Sequence, residues 1–178
     1  MLDTNRRVPL SIVAWGRSHI AHWAIFVPLE QGEPMGTVVH IGVPAKSGRF
    51  PPSTATPTYR KIYDYNMTHS GARRCFVIRN ATATLSQVDM VGREVAERYR
   101  QEGYNIAIRN CQNFAYHVLA RLNQLYPSNV PPEALTAVQR LGTASIYLGN
   151  RFDAQPVAQP PSTSSRSVRQ RPRDFVID

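Results

Sequence analysis

Two cysteines, Cys75 and Cys111, are all the chain has. A pair allows at most one disulfide, which excludes a stapled secreted scaffold and makes a reducing compartment, the cytoplasm, the expected setting. No apolar run reaches the roughly 18 residues that a bilayer-spanning helix needs, so no transmembrane segment is expected. The opening stretch MLDTNRRVPLSIVAWGRSHIAHW has an arginine pair before an apolar run, as a signal peptide does. Trp15, Gly16, Arg17 and His19 interrupt that run and no convincing small-residue cleavage site follows, so it reads as a first strand. The sequons at Asn66 and Asn80 then read as chance. There is no internal repeat, and no recognised RNA or DNA motif accompanies the arginines at 73, 74, 79 and 109.

What is present is enough for one core. The 178 residues are 42% apolar, with a formal charge of +9. Residues 1–150 hold 16 basic and 9 acidic side chains and residues 151–178 hold 5 and 3, so the excess is spread over the fold. It favours anionic partners weakly. From Arg151 the composition turns to Pro, Ser, Gln and Arg. Residues 1–150 are therefore read as a single domain and 151–178 as a disordered tail. A flexible arm is the default reading of the tail; weak contact with an anionic lipid surface is the sharper alternative, but five arginines diluted among prolines fall short of a compact polybasic cluster.

Hydrophobic period changes once along the chain. Residues 8–15, 21–28, 37–43, 59–65 and 73–79 alternate or run apolar as strands do, with turn signals at 29–36 and Ser70-Gly71 and a Pro/Ser/Thr-rich loop at 44–58. From Leu85 the apolar residues recur every three or four positions to Tyr99, with Ser86 or Thr84 to cap and Gly103 to end the helix. The link YNIAIR leads to a second helix over 110–125. A third is expected over 131–141, with proline in its first turn, and ASIYL at 144–148 reads as a last strand or a helix extension. Strands first and helices after predict an α+β domain, an antiparallel sheet with helices packed on it.

The second helix carries the most informative residue. Cys111, Phe114, Ala115, Val118, Leu122 and Leu125 fall on one stripe that should face the sheet, and His117 falls off it, as a surface histidine. Asn110 is a good N-cap, which puts Cys111 in the first turn. There the helix dipole and unpaired N–H groups favour a thiolate and offer donors to an oxyanion. Cys75, in an alternating strand, reads as packing.

Two histidines are placed to serve that cysteine. His22 shares a strand face with Ala24 and Phe26, and His40 shares one with Val38 and Gly42. If the two strands form a hairpin, a pairing sum of 62 sets the histidines directly opposite and a sum of 64 makes them diagonal neighbours; a one-residue slip separates them. Three readings fit: a satisfied half-buried pair, a two-His-one-Cys zinc site, or a catalytic set in which Cys111 attacks, one histidine takes its proton and the other orients the first.

The runs HWAIFVP, GTVVHIGVP and RNCQNFAYHVL, in that order, resemble the lecithin:retinol acyltransferase-like family and its phospholipase A/acyltransferase branch. The resemblance covers roughly residues 20–125. It implies a permuted papain-like (NlpC-type) fold with the nucleophile at a helix N-terminus. It makes Cys111 the nucleophile, His22 the base and His40 the third polar residue, with Asn110 and Gln112 positioning the nucleophile or an oxyanion. The family's box usually continues with an acidic residue, where this chain has Gln112-Asn113-Phe114, and the branch commonly ends in a hydrophobic anchor, where this chain ends in a Pro/Ser/Arg-rich tail. The resemblance implies acyl transfer through a thioester, from an acyl donor to water or to an amine or alcohol acceptor, with no metal or other cofactor. A cysteine peptidase or isopeptidase of the same superfamily is the first alternative. A non-catalytic basic binding module is the second; nucleic acid is a disfavoured partner.

Overall fold

The computed structural model describes residues 5–15, 21–42, 56–69, 74–102 and 110–147, the last helix's side chains only as far as residue 141. The loop expected at 44–58 is thus outside the described residues up to position 55. The Gly71 half of the Ser70-Gly71 turn, Ser70 itself, the YNIAIR link and the whole tail also lie outside them.

Five strands come first: β1 Val8–Trp15, β2 His22–Pro28, β3 Met35–Gly42, β4 Thr58–Asn66 and β5 Arg74–Ala83. Three helices follow, α1 Leu85–Glu102, α2 Cys111–Leu125 and α3 Pro132–Tyr147. The strands form one antiparallel sheet in the order β4-β3-β2-β1-β5. The α+β expectation holds at this level. α3 runs past its expected end, so residues 144–147 continue the helix rather than forming a strand. No helix among the described residues is long and apolar enough to cross a membrane.

The β2–β3 hairpin turns through Leu29–Pro34, closed by the Leu29 N–H donating to the Met35 carbonyl (2.9 Å) and opened at Gly32 with φ +85°. Its ladder pairs Ile25 with Val39 and Pro28 with Gly36, a constant sum of 64. Gly36 allows that approach, because a Cβ there would sit 2.3 Å from the Val27 carbonyl oxygen. On the outer edge, β5 holds three extra residues opposite Leu10, with Asn80 at φ 60° taking up the bulge.

Side chains alternate between two apolar layers. Leu10, Ile12, Trp23, Ile25, Val27, Val39 and Ile41 face the helices and meet the buried stripes of α1 and α2. Val13, Trp15, Ala24, Phe26, Val38 and Tyr65 form a second, smaller cluster on the other face. α2 buries Cys111, Phe114, Ala115, Val118, Leu119 and Leu122, whereas Leu125 is 39% exposed. Leu119 joins the buried stripe and Leu125, the last residue of the helix, falls outside it, because the stripe is wider than one row.

α1 starts with a reciprocal cap: the Thr84 N–H donates to Gln87 Oε1 (2.9 Å) and the Gln87 N–H to Thr84 Oγ1 (3.1 Å). It is tied to β4 by Asp89, which accepts from Tyr59 Oη (2.6 Å), Lys61 Nζ (2.7 Å) and Arg93 Nε (3.2 Å). Gly92 lets the helix close on the strand, since a Cβ would lie 2.8 Å from the Tyr59 ring.

Candidate active site

Asn110 has extended backbone (φ −109°, ψ −176°) and its Oδ1 accepts from the N–H groups of Gln112 and Asn113, each at 2.9 Å. This is the expected N-cap, and it fixes Cys111 as the first residue of α2. The cap also narrows the oxyanion expectation. Two first-turn donors are already spent on Asn110, and the Phe114 N–H donates to the Asn110 carbonyl (2.9 Å). Gln112 uses its side chain elsewhere: Nε2 donates to the Ala21 carbonyl at 3.1 Å. Gln112 therefore fastens the helix start to the entry of β2, which is a positioning contact.

The cysteine sulfur meets the same strand entry. Cys111 is 8% exposed, and its Sγ lies 4.0 Å from the Ala21 carbonyl oxygen, while the dipole of the Trp23 N–H acts on the thiol. Those two backbone groups bracket His22, 89 positions away in the chain. Burial raises the thiol above its ordinary range; the N–H groups of Trp23, Cys111 and Gln112 pull the other way and do not prevail. The thiolate expected from the helix dipole is thus overridden by desolvation, and the resting group is a thiol.

The histidines are brought together as the sum of 64 requires. His22 Nε2 lies 2.9 Å from His40 Nδ1, with the rings edge-on at 87° and their centroids 4.8 Å apart. His22 also packs against Trp15, its cross-strand partner, at 5.7 Å between centroids. Trp15 was not foreseen, since only the β1–β2 register reveals it. Its indole N–H is buried and without an acceptor among the described residues. Both imidazoles are held neutral. His22 is lowered to about 3 by burial, then by His40 and Arg60. His40 is lowered to about 4 by burial and by Arg60, against a hydrogen bond to the Ile41 carbonyl (3.3 Å) that pulls up.

The sulfur and the rings approach β2 from different sides. Trp23 and Ile25 share the helix-facing layer with Cys111, whereas strand alternation sends His22 toward Ala24, Phe26 and Trp15. Among the described residues no hydrogen bond joins Sγ to either imidazole; the sulfur reaches the backbone on both sides of His22. The zinc reading loses its geometry, since His22 and His40 direct nitrogens at each other rather than at a shared point. Among the described residues no three His, Cys, Asp or Glu side chains group to hold a metal ion.

His117 departs from the expected surface position. Its Nδ1 is 2.8 Å from the hydroxyl of buried Tyr99, and it lines a cavity of about 400 Å³ between α1 and α2 with Glu94, Arg98, Glu102 and Arg121. That hollow is on the helix side and shares no residue with the Cys111–His22–His40 group. Cys75 is half-buried beside Ser11, and burial raises its thiol. Of the four arginines considered for a patch, 73 and 109 lie outside the described residues.

Compared with models of known protein families, with curated proteins and with solved structures, the chain finds no significant match.

Proposed function

We propose that the protein is a cysteine-dependent acyl-transfer enzyme with a permuted papain-like fold, working through a thioester on Cys111. One observation carries the reading: the sulfur sits against the backbone flanking a histidine whose far nitrogen is already engaged by a second histidine. With Nε2 of His22 occupied by His40, the nitrogen left for the thiol is Nδ1, the one nearer the backbone that Sγ touches. Catalytic hydrogen bonds are commonly long without substrate and tighten in the complex. Here Sγ and the His22 ring lie on opposite faces of β2, so the bond requires a movement of the β2 entry or of the start of α2 that brings sulfur and Nδ1 to one side.

The tautomers follow from the role of base. His22 must carry its proton on Nε2 and donate it to His40 Nδ1, so His40 carries its own on Nε2. In the other arrangement, with the His40 Nδ1 proton shared between His22 and the Ile41 carbonyl, His22 Nδ1 is protonated and is no base. Because both rings are neutral and the thiol is protonated, the chemistry is general-base catalysis, not attack by a preformed ion pair. His22 Nδ1 takes the Cys111 proton as sulfur bonds to the acyl carbon. The Trp23 and Cys111 N–H groups, whose dipoles act on the sulfur, would serve the oxyanion. The leaving group departs with the proton from His22. Water, an amine or an alcohol then attacks the thioester as His22 takes its proton, and His22 returns that proton to the departing sulfur, which restores the thiol.

The test is intact-mass detection of an acyl adduct after mixing with 4-nitrophenyl butyrate. The expected mass increase is one butyryl group, absent in Cys111→Ala, retained in Cys75→Ser and formed at least 100-fold more slowly in His22→Ala. Adduct formation on Cys75 alone, or an unchanged rate in His22→Ala, rules the reading out. Cleavage of model peptides with no ester turnover would point to the peptidase alternative.

A further inference from the structure

The two histidines have a neighbour that the acyl-transfer chemistry leaves unused. In the β3–β4 ladder His40 stands directly opposite Arg60, so His22, His40 and Arg60 form a row on one face across three adjacent strands. The Arg60 side chain leans over Gly42, where an added Cβ would meet its Nε at 3.4 Å and its Cζ at 3.7 Å. A glycine at that position leaves room for the guanidinium to lie along the strand beside the histidines. Its charge is felt at both rings. The next residue, Lys61, points to the other face and is paired with Asp89 at 2.7 Å, as Arg93 is at 3.2 Å. Arg60 is exposed and has no hydrogen bond or ion pair among the described residues.

We propose that Arg60 is a specificity residue that binds an oxyanion, a carboxylate or phosphate, carried by the acyl substrate. The inference rests on the acyl-transfer reading and names its substrate class. A guanidinium presents a planar fork of donors that matches either anion with two parallel bonds. Held one strand beyond His40, such an anion would fix the substrate's distance from His22, the proposed base. It would also offset the positive charge that opposes protonation of His22, so the base becomes stronger when the right substrate is present.

Two 4-nitrophenyl esters with the same four-carbon acyl chain decide it, the butyrate and the hemisuccinate, which adds a terminal carboxylate. The expected kcat/KM ratio favours the hemisuccinate by about tenfold or more in the wild type. It falls close to one in Arg60→Gln, chiefly through KM for the charged ester, and is partly restored in Arg60→Lys. An equal ratio in wild type and Arg60→Gln overturns the proposal. A second measurement does not depend on turnover. The Cys111→Ala protein is titrated with monomethyl succinate and with methyl phosphate, following the Arg60 and His40 side-chain NMR signals. Saturable shifts that vanish in Arg60→Gln support the site, and the tighter of the two probes tells carboxylate from phosphate. The absence of any saturable shift overturns it. If neither ester acylates Cys111, the acyl-transfer reading fails, and the titration still decides whether Arg60 binds an oxyanion.

Discussion

His22 Nε2 and His40 Nδ1 lie 2.9 Å apart on adjacent strands, each ring supplying the hydrogen-bond partner the other would lose on burial. An unpaired imidazole in that position would bear a desolvation cost of about 1–3 kcal/mol. The contact satisfies one nitrogen of each ring and fixes the direction of both.

That pairing predicts different outcomes for two substitutions of His40. His40→Ala removes the partner of Nε2 and frees His22 to take either tautomer. Acylation of Cys111 by an activated ester is expected to slow by about 100-fold. His40→Asn keeps a polar group and is expected to recover part of the rate. Equal rates in both variants would mean that His40 does not orient His22.

The state of the thiol predicts a pH profile. Burial raises Cys111, and neutral His22 does not hold its proton off at rest. Alkylation of Cys111 by iodoacetamide is therefore expected to be slow at pH 7 and to climb as pH passes above the ordinary thiol range. Fast labelling below pH 7 would show a thiolate–imidazolium pair instead.

The imidazoles also set an acid limit. Their folded values, about 3 and about 4, lie below the unfolded 6.5, so between these limits the unfolded chain binds more protons. Stability from this source is fully present above pH 6.5 and is lost as pH falls toward 3 to 4, by several kcal/mol for the pair. In the His22→Gln/His40→Gln double variant, urea unfolding should depend on pH more weakly between 6.5 and 4. An unchanged slope would show that other groups set it.

Asp89 links α1 to β4 through Tyr59, Lys61 and Arg93. Burial acts to raise its carboxyl, but Lys61 and Tyr59 outweigh it and hold it low. Asp89→Ala leaves the Tyr59 hydroxyl and the Lys61 ammonium half-buried and unmatched, with an expected loss of about 1–3 kcal/mol in denaturant unfolding. Gly92→Ala, which presses on the Tyr59 ring from the helix side, should also destabilise, by roughly 1–3 kcal/mol.

Local features were legible in the chain. Alternation marked the five strands, the three-to-four spacing marked α1 and α2, and Asn110 marked the helix start that holds Cys111, because each depends on residues within a turn or a strand of one another. The histidine pair was legible only as a choice of register, and the hairpin took the sum of 64. What lay beyond local pattern was misjudged. The helix dipole suggested a thiolate, yet burial beneath β2 leaves a thiol. His117 looked like a surface residue, yet Tyr99 from another helix takes its ring.

The sequence by itself determined the order of elements, the polarity of each face and the residue types available for chemistry, since these follow from backbone period and side-chain solubility. Only the tertiary structure decided that Cys111 comes to the backbone flanking His22, that Trp15 walls the ring and that Arg60 stands beside His40. Those neighbours are set by strand register and helix docking, where groups many residues apart share one space and compete for the same water and the same hydrogen bonds.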